Sequence, residues 1–381
     1  MEINQIEPYI SEREAVAVQE YLNSGGWLTE FKKTQEFEQR IAEYVGAKYA
    51  TVVPSGTVAL YLSLLSTGIG HGDIVAVPNY TMIGTINAVK WTGAEPLICD
   101  VDPTTLCIDI NNLKESVNTL KAIIHVSING RSGDMYDVVN YCKNNCIILI
   151  EDSAQAMGSQ FDDKFLGTFG DLGVYSLTPH KIITTGQGGV IVTNNIEYFD
   201  RIKSLKDFSR VKPGVDIHNG IGYNFKFTDL QSVVGIEQIK TINYRVNRKK
   251  ELFSIYYDRL KHINQIQFLE TDLTQVTPWA IDVIFESEEV RNDIVKYLLS
   301  EGIGTRIFYP ALNSQMPYSY FKQGSFPESE SIVNRGLWLP SSIGLSDKDV
   351  IFICNKIINI HPRSIIMNIN INKCWQPLII N

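Results

Sequence analysis

Ser176-Leu177-Thr178-Pro179-His180-Lys181-Ile182-Ile183-Thr184-Thr185-Gly186-Gln187-Gly188-Gly189 is a loop set between two apolar runs. These are Gly173-Val174-Tyr175-Ser176 before it and Gly189-Val190-Ile191-Val192-Thr193 after it. About thirty residues upstream, Ile147-Ile148-Leu149-Ile150 ends in Glu151-Asp152. The runs are short and do not alternate strictly between apolar and polar residues. They read as strands buried on both faces, as in a mostly parallel α/β sheet.

Working outward from that stretch, the same pattern recurs. Tyr49 to Val53, Asp73 to Pro78, Pro96 to Asp100 and Ala122 to Val126 read as further strands. Helical stretches follow several of them, through Val58 to Leu62 and from about Met82 to Trp91. The polar motifs cluster just after strands, at the edge where open α/β sheets bind ligands. A charged helical segment from Leu230 to about His262 leads to a second α+β region with apolar pieces at 283–285, 294–298 and 350–353. The expected division is a large domain over 1–245, with an N-terminal arm, and a smaller C-terminal α+β domain over 246–381. No internal repeat is visible.

The chain has 381 residues, of which 44% are hydrophobic and 20% charged, which suits a soluble globular protein with a large core. A net charge of -8 argues against a general nucleic-acid or membrane-surface binder. It leaves room for an anionic ligand held by backbone amides at a helix start. The six cysteines are scattered and read as buried free thiols. No metal site is expected. There is no basic-then-apolar leader and no bilayer-spanning run, so a cytoplasmic enzyme is expected.

A lysine near strand ends, with a buried carboxylate opposite, is what a pyridoxal 5'-phosphate (PLP) enzyme needs. The amine bonds the cofactor's aldehyde. The carboxylate keeps the pyridine nitrogen protonated so that the ring accepts electrons. Lys181 and Asp152 are the candidates. Each neighbouring feature also has a plainer reading. Ser55-Gly56-Thr57 is either an anion cradle at a helix start or an ordinary serine cap. Asp152 could instead make a salt bridge or cap a helix. His180 reads as packing rather than as a second catalyst. Thr184 to Gly189 reads as a turn that shapes the lysine loop. Trp27 and Thr29 in Gly25-Gly26-Trp27-Leu28-Thr29 could meet a substrate or pack a loop. Gly68-Ile69-Gly70-His71-Gly72-Asp73 lacks the spacing and the Lys-Ser/Thr of a P-loop.

Taken together, these segments resemble the nucleotide-sugar aminotransferases of the DegT/DnrJ/StrS family, over roughly residues 6–357. Gly93-Ala94-Glu95-Pro96, Glu151-Asp152-Ser153-Ala154-Gln155-Ala156, Gly167-Thr168-Phe169-Gly170-Asp171, Gly222-Tyr223-Asn224 and Thr228-Asp229-Leu230-Gln231 extend the likeness. The resemblance implies PLP-dependent fold type I, the aspartate aminotransferase fold, and a homodimer with shared active sites. It implies that Lys181 is the Schiff-base lysine and proton carrier. It pairs Asp152 with the pyridine nitrogen and Gln155 with the ring oxygen. Gly56, Thr57 and Ser176 would hold the phosphate, with Asn224 reaching the partner subunit's phosphate. Met82 falls where an aromatic ring usually lies over the cofactor. Arg306-Ile307-Phe308-Tyr309-Pro310, Trp338-Leu339-Pro340 and Asn129-Gly130-Arg131 resemble 4-aminotransferases of perosamine or viosamine type. Tyr309 and Asn313 join Trp27 and Thr29 as expected substrate contacts.

Four positions depart from the family pattern. Gln187 replaces a glutamate, Met82 replaces the aromatic ring, and Gln155 stands where perosamine synthases often carry glutamate. Asn313 stands where a histidine is common. The implied reaction moves an amino group from L-glutamate, through the pyridoxamine form, to a nucleotide-linked 4-keto-6-deoxyhexose. Alternatives within the resemblance are a pyridoxamine phosphate-dependent dehydratase, whose lysine is replaced by histidine, a 3-keto-sugar aminotransferase, and a non-catalytic member.

Overall fold

The computed structural model of the chain describes residues 2–113, 117–212 and 214–360. Cys374 and the Ile- and Asn-rich stretch after about Pro362 lie outside them. Two helices that sequence reading did not separate come first, α1 (Glu12–Asn23) and α2 (Lys32–Val45). A capping box starts α1, with the Glu14 carboxylate accepting from the Ser11 amide at 2.8 Å. Along α2, Phe37, Ile41 and Val45 recur at helical spacing and are buried as one stripe.

Strands and helices then alternate. They are β1 (Tyr49–Val53), α3 (Gly56–Ser66), β2 (Ile74–Pro78), α4 (Gly84–Trp91), β3 (Glu95–Cys99), β4 (Leu120–Val126), α5 (Met135–Asn144) and β5 (Ile148–Asp152). A small hairpin, β6 (Gln160–Phe161) and β7 (Lys164–Phe165), precedes β8 (Leu172–Ser176), β9 (Gly189–Thr193) and α6 (Ile196–Lys206). The sheet order is β1-β9-β8-β5-β4-β2-β3. Strands β8, β5, β4, β2 and β3 pair in parallel, while β9 runs against both β1 and β8. The sheet is therefore mixed at one side. The physical reason is the connection. Loop 177–188 joins β8 to β9 without a crossover helix, so β9 returns alongside β8 instead of repeating its direction. All five residues of β8 and of β9 are buried, which explains their unbroken apolar character.

The charged helical segment is two helices, α7 (Asp229–Lys240) and α8 (Ile242–Leu260). Asp229 begins α7 and caps α2 across the fold, accepting from the Thr34 amide at 2.9 Å and the Phe31 amide at 2.8 Å. Beyond α8 lie β10 (Ile266–Gln267), β11 (Ile281–Phe285), α9 (Glu288–Ser300), β12 (Arg306–Ile307), α10 (Pro327–Arg335), β13 (Gly336–Leu339) and α11 (Asp347–Ile358). Their four strands form an antiparallel sheet in the order β10-β11-β13-β12. The division read near residue 245 falls inside α8. Ile242 and Val246 pack with Phe37 and Ile236 of the first part, while Leu252, Phe253 and Tyr256 pack with Ile281 and Val283 of the small sheet. One helix serves both cores.

Lys249 sits on α8 between those cores, buried, with its Nζ donating to the Ser341 carbonyl at 2.6 Å. No carboxylate pairs with it among the described residues, and burial pushes its pKa down to about 7. Between that value and the ordinary lysine pKa the unfolded chain binds the extra proton, so stability rises with pH there. Lys249→Met is expected to raise the melting temperature by about 2–4 °C at pH 6–7. The gain should shrink by pH 9, as differential scanning calorimetry at both pH values would show.

Among the described residues Cys99, Cys107, Cys142 and Cys354 are buried free thiols, and Cys146 is a free thiol that is exposed. No described helix is long and apolar enough to cross a membrane. No described cluster of His, Cys, Asp and Glu could hold a metal ion.

Candidate active site

Strands β1, β8, β5, β4, β2 and β3 all point the same way, so their carboxyl ends share one edge. A cleft of about 310 Å³ opens there. That is near the lower end of the range of about 300–1,000 Å³ typical of small-molecule sites. Its walls include Gly56, Thr57, Met82, Asp152, Gln155, Ser176, Lys181 and Tyr309. Eight of the residues singled out in the sequence are thus brought together from five separate stretches of chain.

The paired acids that end β5 do different things, because successive side chains of a strand leave on opposite faces. Glu151 turns away from the cleft. Its carboxylate accepts from the amides of Gly167 (2.7 Å), Phe169 (2.6 Å) and Gly170 (2.7 Å) and fixes that loop. Asp152 turns into the cleft and is buried. It accepts from the Thr85 hydroxyl at 2.8 Å and the Ala154 amide at 3.2 Å. It makes no salt bridge among the described residues. Burial raises its pKa, opposed by those two bonds and by the charge of Lys181. A buried carboxylate with no cation bonded to it fits a protonated ring nitrogen.

Lys181 enters from the β8–β9 loop. Its Nζ lies 4.2 Å from the centre of the Trp279 ring. Burial pushes its pKa down to about 7, with Arg306 adding to the fall and Asp152 opposing it. Such an amine is partly neutral near physiological pH, so it can act as nucleophile and base. His180 packs on the same indole, ring centres 5.6 Å apart, in agreement with a packing role.

The far end of the cleft is built for an anion. Helix α3 begins at Gly56, and its cap, Ser55, accepts from the Val58 amide at 3.2 Å, which leaves the first amides of the helix facing the cleft. The Thr57 and Ser176 hydroxyls flank them; Ser176 Oγ lies 3.3 Å from Thr178 Oγ1. Gly56 packs directly on Ser176, where even a Cβ would touch its side chain at 3.4 Å. The Met82 thioether is held by the Gly84 amide at 2.9 Å and faces the middle of the cleft. Gln155 accepts from the Asn129 amide at 2.8 Å, and its own amide bonds the Tyr309 hydroxyl. An anion cradle, a thioether, a buried carboxylate and a reactive amine line one cleft, and these are the groups that a flat phosphorylated pyridine aldehyde calls for. The residues present fit PLP.

The other expected residues lie elsewhere. Asn224 is exposed, bridged to Asp207 and absent from the cleft lining. Trp27 and Thr29 are exposed, and the Thr29 carbonyl is tied to the Asp229 amide at 3.3 Å. Asn313 is buried in a clamp. It donates to Glu330 at 2.7 Å and accepts from Asn79 at 3.1 Å, which fastens the segment after Tyr309 to the end of β2. Sequence reading missed Thr85 and Trp279. Thr85 is one threonine in an unremarkable helix. Trp279 comes from a segment 98 residues past Lys181 by numbering (279 minus 181), and no local pattern ties them. Removing the Thr85 hydroxyl takes away a bond that favours the Asp152 carboxylate, so its pKa climbs further. Thr85→Val is expected to weaken PLP binding about tenfold at pH 7, more at pH 6 than at pH 8, by fluorescence titration.

The chain belongs to the DegT/DnrJ/EryC1/StrS aminotransferase family, whose model matches residues 8–358. The family is one of PLP-dependent sugar aminotransferases, and PLP is its cofactor. Among curated relatives, the GDP-perosamine synthase of Escherichia coli O157:H7 is 35% identical over 92% of this chain and 96% of its own. That of Vibrio cholerae is 32% identical over 93% and 97%. Among solved structures, the aminotransferase TlmJ from Streptoalloteichus hindustanus superposes with a TM-score of 0.89 at 28% identity, covering 96% of this chain and 99% of that one. A family member from Brucella abortus gives 0.86 at 27%, covering 92% and 96%.

Proposed function

We propose that this sugar aminotransferase moves an amino group from L-glutamate to the C4 ketone of a GDP-linked 4-keto-6-deoxyhexose, giving a 4-amino-4,6-dideoxy sugar of perosamine type. The observation that carries the substrate is the likeness to GDP-perosamine synthases, which runs through both sheets rather than through the cofactor site alone. A UDP-linked substrate and a viosamine-type product are the variants closest to it in chemistry.

Bound in the cleft, PLP supplies an aldehyde that carries nitrogen and a ring that accepts electrons. The chain's own residues do the rest. The amides of Gly56 and Thr57, with the Thr57 and Ser176 hydroxyls, hold the phosphate at the start of α3. Asp152 would hold a proton on the ring nitrogen, and the Thr85 bond favours the charged form of that carboxylate. Gln155 would bond the ring oxygen, and the Met82 thioether would pack on the ring. Lys181 would supply the amine that holds the aldehyde. Once displaced, its amine takes a proton from the donor's α-carbon and returns one to the sugar carbon. Tyr309 walls the side where a sugar would enter. The intact Lys181 favours amination over dehydration, which the family associates with a histidine at this position.

The working unit is proposed to be a cytoplasmic homodimer. Asn224, Trp27 and Thr29 all face solvent outside their own chain's cleft, and Leu28, Ile217 and Ile221 add exposed apolar surface in the same two segments of chain. A second copy would cover that apolar surface and bring Asn224 to the partner's phosphate. Sedimentation of the purified protein tests this.

The decisive assay supplies the PLP-loaded protein with L-glutamate and a panel of GDP-, UDP- and dTDP-linked 4-keto and 3-keto sugars. A GDP-linked product one amino group richer at C4 by mass and NMR is expected. Exclusive turnover of a UDP- or 3-keto substrate sinks the proposal, and a deoxygenated product points to the dehydratase.

A further inference from the structure

The Asn129-Gly130-Arg131 stretch and Trp279 have no part in the chemistry above, yet they converge on its lysine. Asn129 stands just after β4 with φ of 51°. Its side chain clasps the backbone of Ala280, accepting from the amide at 2.7 Å and donating to the carbonyl at 3.0 Å. Gly130 follows with φ of 85°, and a Cβ there would lie 2.6 Å from the Thr277 carbonyl. Glycine is what allows the two backbones to lie this close. Together they hold segment 277–280, which leads into β11, against the edge of the large sheet.

That segment presents Trp279. The indole is buried, only 2% exposed, and is wedged edge-on against Trp338 at 5.4 Å. Its Nε1–H donates to the His180 carbonyl at 2.8 Å, one residue before Lys181. Its face receives the Lys181 Nζ, 4.2 Å from the ring centre. One side chain therefore holds the lysine loop by its backbone and the lysine itself by its charge. The other charged or titratable groups facing this amine are Asp152, His180 and Arg306, with Tyr309 beyond them.

We propose that Trp279 is a positioning residue for Lys181: the indole face is the seat of the free ammonium whenever the amine is not bonded to the cofactor. The inference rests on Lys181 being the reactive amine. Each turnover displaces that amine and must later return it. A lysine loose on four methylenes would wander. A lysine seated on a fixed ring waits in one place. The seat also offsets part of the burial that discourages the charged form, so the amine can hold the proton it has taken.

The test uses cofactor-free protein, so it reads the contact whether or not transamination itself is upheld. Five tryptophans occur in the chain, and 5-fluorotryptophan labelling gives each a 19F signal. The Trp279 signal is the one missing from Trp279→Phe. It is expected to move with pH with a midpoint near the Lys181 pKa of about 7, well apart from His180, which burial holds at about 4. The step should vanish in Lys181→Met and on loading with PLP. A signal without that step, or a step that survives in Lys181→Met, overturns the proposal. As a second reading, the pH dependence of Lys181 acylation is followed by peptide mass spectrometry. The midpoint should stay near wild type in Trp279→Phe, which keeps a ring, and fall by about half to one pH unit in Trp279→Leu. Equal midpoints in the two variants overturn it as well.

Discussion

Lys181→Ala is expected to lower amino transfer by about 10⁴-fold while leaving the fold intact. Two losses combine. The variant has no amine to bond the cofactor's aldehyde, and it has no base at the carbon where the proton moves. General acid–base catalysis alone is worth about 10²–10⁴-fold, and roles served by one side chain are lost together. The fold should tolerate the change, because the Lys181 side chain rests on the Trp279 face and makes no hydrogen bond or salt bridge among the described residues. Removing an amine whose charged form is disfavoured by burial costs little stability. Product formation from glutamate and the keto sugar, followed by mass, measures the first part. Circular dichroism and a thermal melt measure the second. Retained turnover in a homogeneous Lys181→Ala preparation would remove Lys181 from the centre of the site.

Lys181 and Asp152 were legible in the sequence for a physical reason. Both sit at the ends of apolar runs that could only be buried strands, and in a sheet of this kind those ends meet. The same reasoning reached Gly56, Thr57 and Ser176, which also follow strands. It could not reach Thr85 or Trp279. Thr85 meets Asp152 only because α4 crosses the sheet edge after β2. Trp279 meets Lys181 only because Asn129 clasps Ala280 from across the fold. These are tertiary contacts between segments with no shared periodicity. The direction of β9 escaped the pattern too, since burial on both faces looks the same in parallel and antiparallel strands. Asn313 carries a different lesson. Its position matched a substrate contact by resemblance, yet its side chain is spent on Asn79 and Glu330. There it fastens the segment after Tyr309 to the end of β2.

Asp152→Asn separates charge from shape, and its effects should be opposite in the empty and loaded protein. The amide is the size of the carboxylate. Its one oxygen can still accept from the Ala154 amide, and its NH2 then meets the Thr85 hydroxyl, which can turn to accept. What goes is the negative charge. Without it the ring nitrogen is not held protonated, and turnover is expected to fall by about 10²–10³-fold, the scale of losing one preorganised electrostatic partner. Lys181 also loses the group that favours its charge, so its pKa should drop below about 7. Stability gives the independent reading. Burial raises the Asp152 pKa above its unfolded value, so the ionised carboxylate costs stability at neutral pH, and the cost fades as pH falls through the folded pKa. The cofactor-free variant should therefore melt a few degrees higher than wild type at pH 7.5, with the gain shrinking at low pH. Binding of PLP reverses the balance, because the wild-type carboxylate then has its cation. The rise in melting temperature on adding PLP should be smaller for Asp152→Asn than for wild type, since a ligand stabilises in proportion to its affinity for the folded state. An unchanged cofactor-dependent rise together with full turnover would mean that the buried carboxylate serves the fold and not the ring.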